Sequence, residues 1–198
     1  MYRRLIFIFL LAVLLAACDT SHLFGGAVTD PPAPVGDFTL TDQANQPFSL
    51  SEFKGKWIAL YYGYTHCPDV CPMTLSILRD VKQALGPDGD QLAVAFVTID
   101  PDRDTVDLMG KYVAHFDPSF KALTGTPAQI ALAAQPLNVK YDKRPSDDSA
   151  IGYTMAHTAF VYLIDPQFRL RVTYPFSVKA EEITADVQYL MKQSAPPQ

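Results

Sequence analysis

The chain has 198 residues, of which 48% are hydrophobic and 19% are charged. This balance is ordinary for a globular protein, so it excludes wholesale disorder and allows one domain with a real core. The formal net charge is −5, and the sequence contains no basic run or basic helix face. The composition therefore gives no indication of nucleic-acid binding.

The first residues have the pattern of an export signal. Two arginines precede a stretch of thirteen apolar residues, 5–17. A membrane-spanning helix needs about 20 apolar residues, so a signal peptide is favoured over a transmembrane helix. The sequence Leu15-Ala-Ala-Cys18 is similar to the bacterial lipoprotein signal, in which the cysteine is lipidated and becomes the first residue. We predict a signal peptide over residues 1–17 and lipidation of Cys18; the alternative is an uncleaved signal anchor that contains a cysteine.

The segment after the predicted lipidation site is rich in small residues, glycine and proline. This composition predicts a flexible tether over residues 18–34, followed by one domain over residues 35–194. Asp19 resembles the signal that retains enterobacterial lipoproteins at the inner membrane. We therefore expect a lipid-anchored protein of the bacterial inner membrane, with its domain in the periplasm or on the outer face.

Hydrophobic periodicity predicts the elements of the domain. In chain order they are a hairpin (38–42 and 46–50), a buried strand (57–64), a helix (73–85), a second buried strand (92–99), two helices (105–116 and 127–137), a short strand (139–141), a loop (142–152), a terminal hairpin (159–164 and 169–174) and a final helix (180–192). This alternation predicts an α/β fold with a mixed central sheet and helices on both faces.

A pair of cysteines follows the first buried strand. Three residues separate Cys67 from Cys71, at the point where a helix is predicted to begin. Chemistry usually gathers at this edge of an open α/β sheet. About one helical turn separates the two sulfurs, so they can share a metal ion or oxidise to a disulfide. The positive end of the helix dipole favours thiolates there.

The spacing of the pair bears on its chemistry. A redox motif usually has two intervening residues, and a structural zinc site needs four ligands, of which one dithiol supplies only two. A structural disulfide remains an alternative, but closing so short a loop adds little stability. We interpret Cys67 and Cys71 as a chemical pair rather than an architectural one.

Four motifs occur in order along the domain. They are Gly63-Tyr-Thr-His-Cys67-Pro-Asp-Val-Cys71-Pro72, Asp100-Pro-Asp-Arg-Asp104-Thr105, Leu123-Thr-Gly125, and Tyr153–His157 followed by the strand Ala159–Pro166. Together they span about residues 35–190 and resemble the Sco/SenC family of cytochrome c oxidase assembly proteins. That resemblance implies a thioredoxin-like domain with an N-terminal β-hairpin and one bound copper ion, Cu(I) or Cu(II), per chain.

The resemblance also implies a ligand set and a role. Cys67, Cys71 and His157 would bind the copper, and the two cysteines would form a disulfide in the oxidised protein. Thiolates select soft Cu(I), and an added imidazole allows Cu(II) as well. The role would be a metallochaperone that delivers copper to the dinuclear copper centre of a respiratory oxidase, rather than an enzyme. Its expected partners are the copper-bearing oxidase subunit and another copper chaperone or a thioredoxin-like reductant.

One position departs from the family pattern. Family members often carry an acidic residue immediately before the histidine, whereas this chain has Ala156, so support for His157 must come from elsewhere. We predict that His66 is not a ligand and that His22, in the tether, is inert. The predicted role of Asp100 and Asp104 is turn formation and helix capping.

Two further functions compete with the metallochaperone. The first is a thiol–disulfide oxidoreductase that reduces the cysteines of the oxidase or of another exported copper protein. The second is a peroxiredoxin, whose motif has a threonine three positions before the reactive cysteine. Here Thr65 lies only two positions before Cys67, which disfavours a peroxidase.

Overall fold

A computed structural model describes residues 22–146 and 152–194. Within these residues the strands are β1 (Ala27–Pro34), β2 (Thr39–Asp42), β3 (Pro47–Ser49), β4 (Trp57–Gly63), β5 (Leu92–Thr98), β6 (Lys121–Thr124), β7 (Tyr141–Pro145), β8 (Tyr153–His157), β9 (Val161–Ile164) and β10 (Arg169–Tyr174). The helices are α1 (Val70–Ala84), α2 (Val106–Ala114), α3 (Pro127–Ala134) and α4 (Ala180–Ser194). None of these helices is long and apolar enough to cross a membrane.

The predicted signal peptide and the lipidation site Cys18 lie outside the described residues.

Eight strands form one sheet in the order β1-β10-β9-β4-β5-β6-β2-β3. Strand β5 runs parallel to β4 and β6, and β9 runs antiparallel to β4. Every residue of β4 is buried, as expected for the centre of a sheet that is covered on both faces. The predicted α/β fold with a mixed central sheet is confirmed.

Helix α1 forms because its apolar residues recur at helical spacing. Leu75, Leu78 and Val81 are fully buried on one face of the helix. At α3, Thr126 accepts a hydrogen bond from the backbone N–H of Gln129, and the Gln129 side chain accepts one from the Thr126 backbone, so a capping box fixes the start of the helix. The predicted helices are confirmed, with boundaries shifted by a few residues.

The N-terminal segment differs from the predicted flexible tether. Ala27–Pro34 form strand β1, which pairs with β10 at one edge of the sheet. An edge strand tolerates proline at positions where the backbone N–H would face solvent and is not needed for pairing. The proline-rich composition of this segment therefore does not exclude a strand. The tether prediction is therefore wrong for these residues, and the folded region begins before residue 35.

His22 does not lie in a free tether, as the sequence predicted, but packs against the rest of the domain. Its Nε2 atom lies 2.6 Å from Oδ1 of Asp186, which is buried in α4. Its ring stacks on Tyr189 with 4.2 Å between the ring centroids. Residues 22–25 are thus packed against the last helix.

The structure contains a second, two-stranded sheet that the sequence patterns did not predict. Strands β7 and β8 pair antiparallel, from Tyr141 opposite His157 to Pro145 opposite Tyr153. The sequence predicted a short strand at 139–141 and a loop over 142–152. Four of the five residues of β7 are exposed, so this strand has no buried face to create an alternating pattern. Strand β6, only four residues long, was missed as well.

Candidate metal centre

The dithiol lies where β4 passes into α1. Strand β4 ends at Gly63, and α1 begins at Val70, so Cys71 is in the first turn of the helix. A Cβ atom at Gly63 would lie 2.7 Å from Sγ of Cys71 and 2.8 Å from Cε2 of Phe96. Glycine at this position therefore lets the thiol approach the backbone of the central strand.

The two cysteines are free thiols in different surroundings. Cys67 is half-buried and Cys71 is fully buried. The backbone N–H of Cys71 donates to Sγ of Cys67 at 3.4 Å, and the Tyr61 hydroxyl donates to Sγ of Cys71 at 3.4 Å. Both sulfurs thus have hydrogen-bond donors that stabilise negative charge.

The contacts of the two thiols shift their pKa values in opposite directions. A hydrogen bond from the Cys71 thiol, together with the backbone N–H groups of Cys71 and Asp69, lowers the pKa of Cys67 to about 4. The same interaction with Cys67, together with burial, raises the pKa of Cys71 above its ordinary range. At neutral pH the pair is therefore a Cys67 thiolate beside a Cys71 thiol.

His157 ends strand β8 and faces this pair. Its Nε2 atom lies 3.9 Å from Sγ of Cys71, and the rings of Tyr61 and Tyr64 contact its ring edge-on. Its Nδ1 atom lies 3.2 Å from the carbonyl oxygen of Thr158. A proton on Nδ1, donated to that carbonyl, leaves Nε2 free towards the sulfurs. The Thr158 carbonyl can thus orient the imidazole of His157, which the apolar side chain of Ala156 cannot do.

Cys71 and His157 lie at a separation that suits two ligands of one metal ion. With bonds of about 2.3 Å to sulfur and 2.0 Å to nitrogen, two ligands of a trigonal site lie about 3.7 Å apart. The separation of 3.9 Å between Cys71 and His157 is close to that value. Among residues 22–146 and 152–194, no group of three or more His, Cys, Asp or Glu side chains is arranged as a preformed metal site. The thiols are instead hydrogen-bonded to each other, and metal binding must displace the Cys71 proton.

The other histidines lie in other surroundings. The Nδ1 atom of His66 lies 3.0 Å from the Thr65 hydroxyl and 3.7 Å from the Asp104 carboxylate, and its side chain is largely exposed. His115 is exposed at the end of α2, against Phe116.

Asp104 has a role that the sequence did not predict. The cap of α2 is Thr105, whose hydroxyl accepts from the backbone N–H of Leu108, and not the Asp104 side chain. The buried Asp104 carboxylate instead accepts hydrogen bonds from the Thr65 backbone N–H at 3.1 Å and from the Thr98 hydroxyl at 2.6 Å. It therefore fixes the loop that leads to Cys67 against the end of β5.

Comparisons with known proteins agree with this fold. The family model described as SCO1/SenC matches residues 27–192. The chain is 37% identical to the mitochondrial SCO2 homolog of Mus musculus over 155 residues, which are 77% of this chain and 60% of that protein. It is 38% identical to an SCO2-like protein of Rickettsia felis over 130 residues, 66% of this chain and 63% of that protein. The match thus spans about three fifths of each relative.

Solved structures give the same result. Apo Sco1 of Thermus thermophilus superposes with a TM-score of 0.77 at 35% identity, covering 86% of this chain and 99% of that one. Copper-bound ScoI of Bradyrhizobium japonicum superposes with a TM-score of 0.71 at 39% identity, covering 79% and 99%. The predicted thioredoxin-like fold is therefore confirmed, and the chain belongs to the SCO1/SenC family.

Proposed function

We propose that the protein is a copper metallochaperone that carries one copper ion on Cys67, Cys71 and His157. Its destination is the dinuclear copper centre of a respiratory cytochrome c oxidase. The observation that carries the proposal is the His157 Nε2 atom 3.9 Å from Sγ of Cys71, beside the thiolate of Cys67. Sco proteins form a family of cytochrome c oxidase assembly proteins. The Bradyrhizobium japonicum and yeast members were solved with copper bound, which supports the assignment.

The side chains are suited to loading and unloading a copper ion. The Cys67 thiolate is ready to bind, and Cys71 becomes a second thiolate when copper displaces its proton, helped by the Tyr61 hydroxyl. Two thiolates bind soft Cu(I), and the imidazole extends the site to Cu(II). Only Cys67 is partly open to solvent among the two cysteines, so it is the natural point of entry and exit.

A copper titration tests the binding proposal. Reduced protein should bind copper near one equivalent, and the Cu(II) form should show sulfur-to-copper charge-transfer absorption. The Cys67→Ala, Cys71→Ala double variant should lose both properties. His115→Ala, which changes an exposed histidine at the end of α2, is the control and should bind like the wild type. Retention of the charge-transfer absorption in the double variant would falsify the proposal.

Delivery needs its own experiment. Copper-loaded protein is mixed with the copper-free soluble domain of the oxidase copper-bearing subunit, and the metal content of each is measured after separation. Copper should move to the oxidase domain, and the dinuclear centre should acquire its absorption spectrum. If copper stays on the donor while free copper salts fill the centre, the protein does not deliver copper.

We extend the proposal to location. Residues 1–17 act as a lipoprotein signal peptide, Cys18 carries the lipid, and the domain faces the periplasm or the outer side of the bacterial inner membrane. The support is the apolar stretch of thirteen residues before Cys18. Mass spectrometry of the membrane fraction should find a lipidated N-terminal Cys18. A wild-type protein that keeps residues 1–17 and carries no lipid on Cys18 would indicate an uncleaved anchor.

A thiol–disulfide oxidoreductase is the second candidate, favoured by the unequal thiols. The Cys67 thiolate would attack a disulfide of the copper protein, forming a mixed disulfide and releasing one substrate thiolate. Cys71 would then lose its proton and attack the Cys67 sulfur, releasing the second substrate thiolate and leaving the Cys67–Cys71 disulfide. His157 is not needed for this exchange. Full oxidase assembly in cells that carry His157→Ala would favour reduction over copper delivery.

A further inference from the structure

The proposed histidine ligand lies on a part of the fold that the main sheet does not hold. Strands β7 and β8 pair with each other in a separate sheet. Backbone and side-chain contacts between Lys140 and Thr158 close the base of this hairpin beside His157, with Thr158 N–H donating to Lys140 C=O at 2.9 Å. Tyr153 starts β8 and His157 ends it. Contacts at the Tyr153 end therefore help to hold the strand that carries the imidazole.

Tyr153 is held by a buried acid and an arginine. Its hydroxyl donates to Oδ1 of Asp100 at 2.7 Å, and Arg103 donates from Nη1 to its carbonyl oxygen at 3.0 Å. The guanidinium carbon of Arg103 lies 3.7 Å from the centre of the Tyr153 ring, a close cation–π contact. One arginine thus contacts both the backbone and the ring of the first residue of β8.

We call the contacts of Asp100 and Arg103 with Tyr153 the clamp. The clamp is connected to the buried core of the domain. Arg103 Nε donates to Oδ2 of Asp100 at 2.6 Å, so each oxygen of this buried carboxylate has a donor. The Asp100 backbone N–H donates to the Thr98 hydroxyl at the end of β5, at 2.9 Å. Arg103 lies over the ring and donates from two different nitrogens, an arrangement that suits the planar, forked guanidinium. The clamp connects β5 to the hairpin.

The clamp also reaches the rings around the imidazole. The Arg103 guanidinium lies 5.8 Å from the centre of the Tyr64 ring. The Tyr64 ring in turn meets the His157 ring edge-on at 6.1 Å between centroids. Arg103 therefore contacts the backbone of β8, which carries His157, and lies beside the Tyr64 ring, which packs against His157.

Lys143 provides an internal comparison. Its Nζ atom lies 4.0 Å from the centre of the same Tyr153 ring and 3.0 Å from the Asp102 carboxylate. Both partners of this ion pair are largely exposed, and such pairs contribute little. Two cations thus contact one ring, but only Arg103 is joined to a buried carboxylate.

We propose that Arg103, held by Asp100, is a positioning residue that keeps β8 in the place where His157 faces the dithiol. The Asp100-Pro-Asp-Arg motif would then serve the metal centre without touching the metal. The copper-related part of this inference rests on the proposed function, in which His157 is a ligand. The clamp on the hairpin does not depend on copper.

Hydrogen exchange in the metal-free protein tests the clamp directly. In Arg103→Met, amides of β8 should exchange about tenfold faster than in the wild type, whereas amides of β9 and β10 should keep their rates. Arg103→Lys should behave like Arg103→Met, because an ammonium is a single point charge and lacks the planar fork that lets Arg103 donate from both Nε and Nη1. Lys143→Met, the matched control, should change the β8 rates less than about twofold. Tyr153→Phe, which removes only the hydroxyl, should loosen the same strand to a smaller extent.

Copper spectroscopy adds a second readout. Arg103→Met should lower Cu(II) affinity about tenfold and weaken the nitrogen hyperfine signal, while Cu(I) affinity stays within about twofold. Unchanged β8 exchange in Arg103→Met, or uniformly faster exchange across the whole domain, would overturn the inference. If wild-type copper shows no histidine nitrogen, the proposed ligand set fails, and the exchange rates still decide whether the clamp exists.

Discussion

The two halves of the candidate metal centre are built in different ways. Cys71 is fully buried in the first turn of a 15-residue helix, against a central strand that is buried along its whole length. His157 ends a five-residue strand of a separate, two-stranded sheet, and most of its partner strand is exposed. The cysteine half is thus part of the hydrophobic core, and the histidine half is attached to it.

This difference suits a protein that must both bind and release a metal. Cys71, fixed in the core, keeps its position whether or not metal is bound, because moving it would disturb β4 and α1. A histidine on a peripheral hairpin can approach or leave at a smaller cost, since local opening is easiest where few apolar contacts hold the chain. We expect the dithiol to determine whether copper binds and the hairpin to determine how firmly.

The sharpest contrast is in stability. Leu60→Ala in β4 removes a fully buried side chain and should lower the free energy of unfolding by about 2–5 kcal/mol. Met155→Ala in β8 truncates a partly buried side chain and should cost less than about 1 kcal/mol. Urea unfolding of both variants measures these values. Equal losses would break the distinction between a core half and an attached half.

The second contrast is between the two thiols. Cys67 should react with iodoacetamide about 100-fold faster than buried Cys71 at neutral pH. Because hydrogen bonding from Cys71 lowers the pKa of Cys67 to about 4, its rate should stay flat down to mildly acidic pH and fall only as pH passes below about 4. Peptide mass spectrometry over a pH series gives both rates.

Cys71→Ala sharpens that experiment because it removes the main donor to the Cys67 sulfur. The pKa of Cys67 should rise towards its ordinary range, and its alkylation should become pH-dependent near neutrality. A Cys67 rate that already falls near pH 8 in the wild type would contradict the assignment of a thiolate.

The third effect concerns the close approach of Cys71 to the central strand. Gly63→Ala places a methyl group 2.7 Å from Sγ of Cys71 and 2.8 Å from Phe96. The strand, the thiol or the ring must shift, at a cost of about 1–3 kcal/mol in unfolding free energy, as for other overpacked cores. Urea unfolding and copper titration should show both a loss of stability and weaker Cu(I) binding. Wild-type values for both would mean that the thiol is not held against β4.

The smallest effect is expected on the stability of the histidine half. His157→Ala should change the free energy of unfolding by less than about 0.5 kcal/mol, because the side chain is partly exposed and its contact with Cys71 is long, at 3.9 Å. The midpoint of urea unfolding of the metal-free protein checks this. A loss as large as that of Leu60→Ala would make His157 a structural residue of the core.

The sequence predicted the core half far better than the attached half. The buried run at β4 and the spacing of Leu75, Leu78 and Val81 identify a strand and a helix because both are shaped by burial. Strands β1 and β7 gave no such signal: one is a proline-containing edge strand and the other is largely exposed. Composition and periodicity report burial, so they miss strands that hydrogen bonding alone defines.

The candidate site shows the same limit. Cys67 and Cys71 are neighbours in sequence, so their spacing alone indicated a dithiol. His157 lies 86 positions beyond Cys71, and only the resemblance to the Sco/SenC family connected it to the pair. The contacts of Asp104 with Thr65 and Thr98 join three segments of the chain, so they were visible only in the folded protein.

The most direct test of the central claim is the set of atoms around the bound copper. X-ray absorption of the copper-loaded protein should show two sulfur ligands and one imidazole nitrogen, and His157→Ala should lose the nitrogen while keeping both sulfurs. A copper ion without two sulfurs, or an imidazole that remains in His157→Ala, would contradict the account.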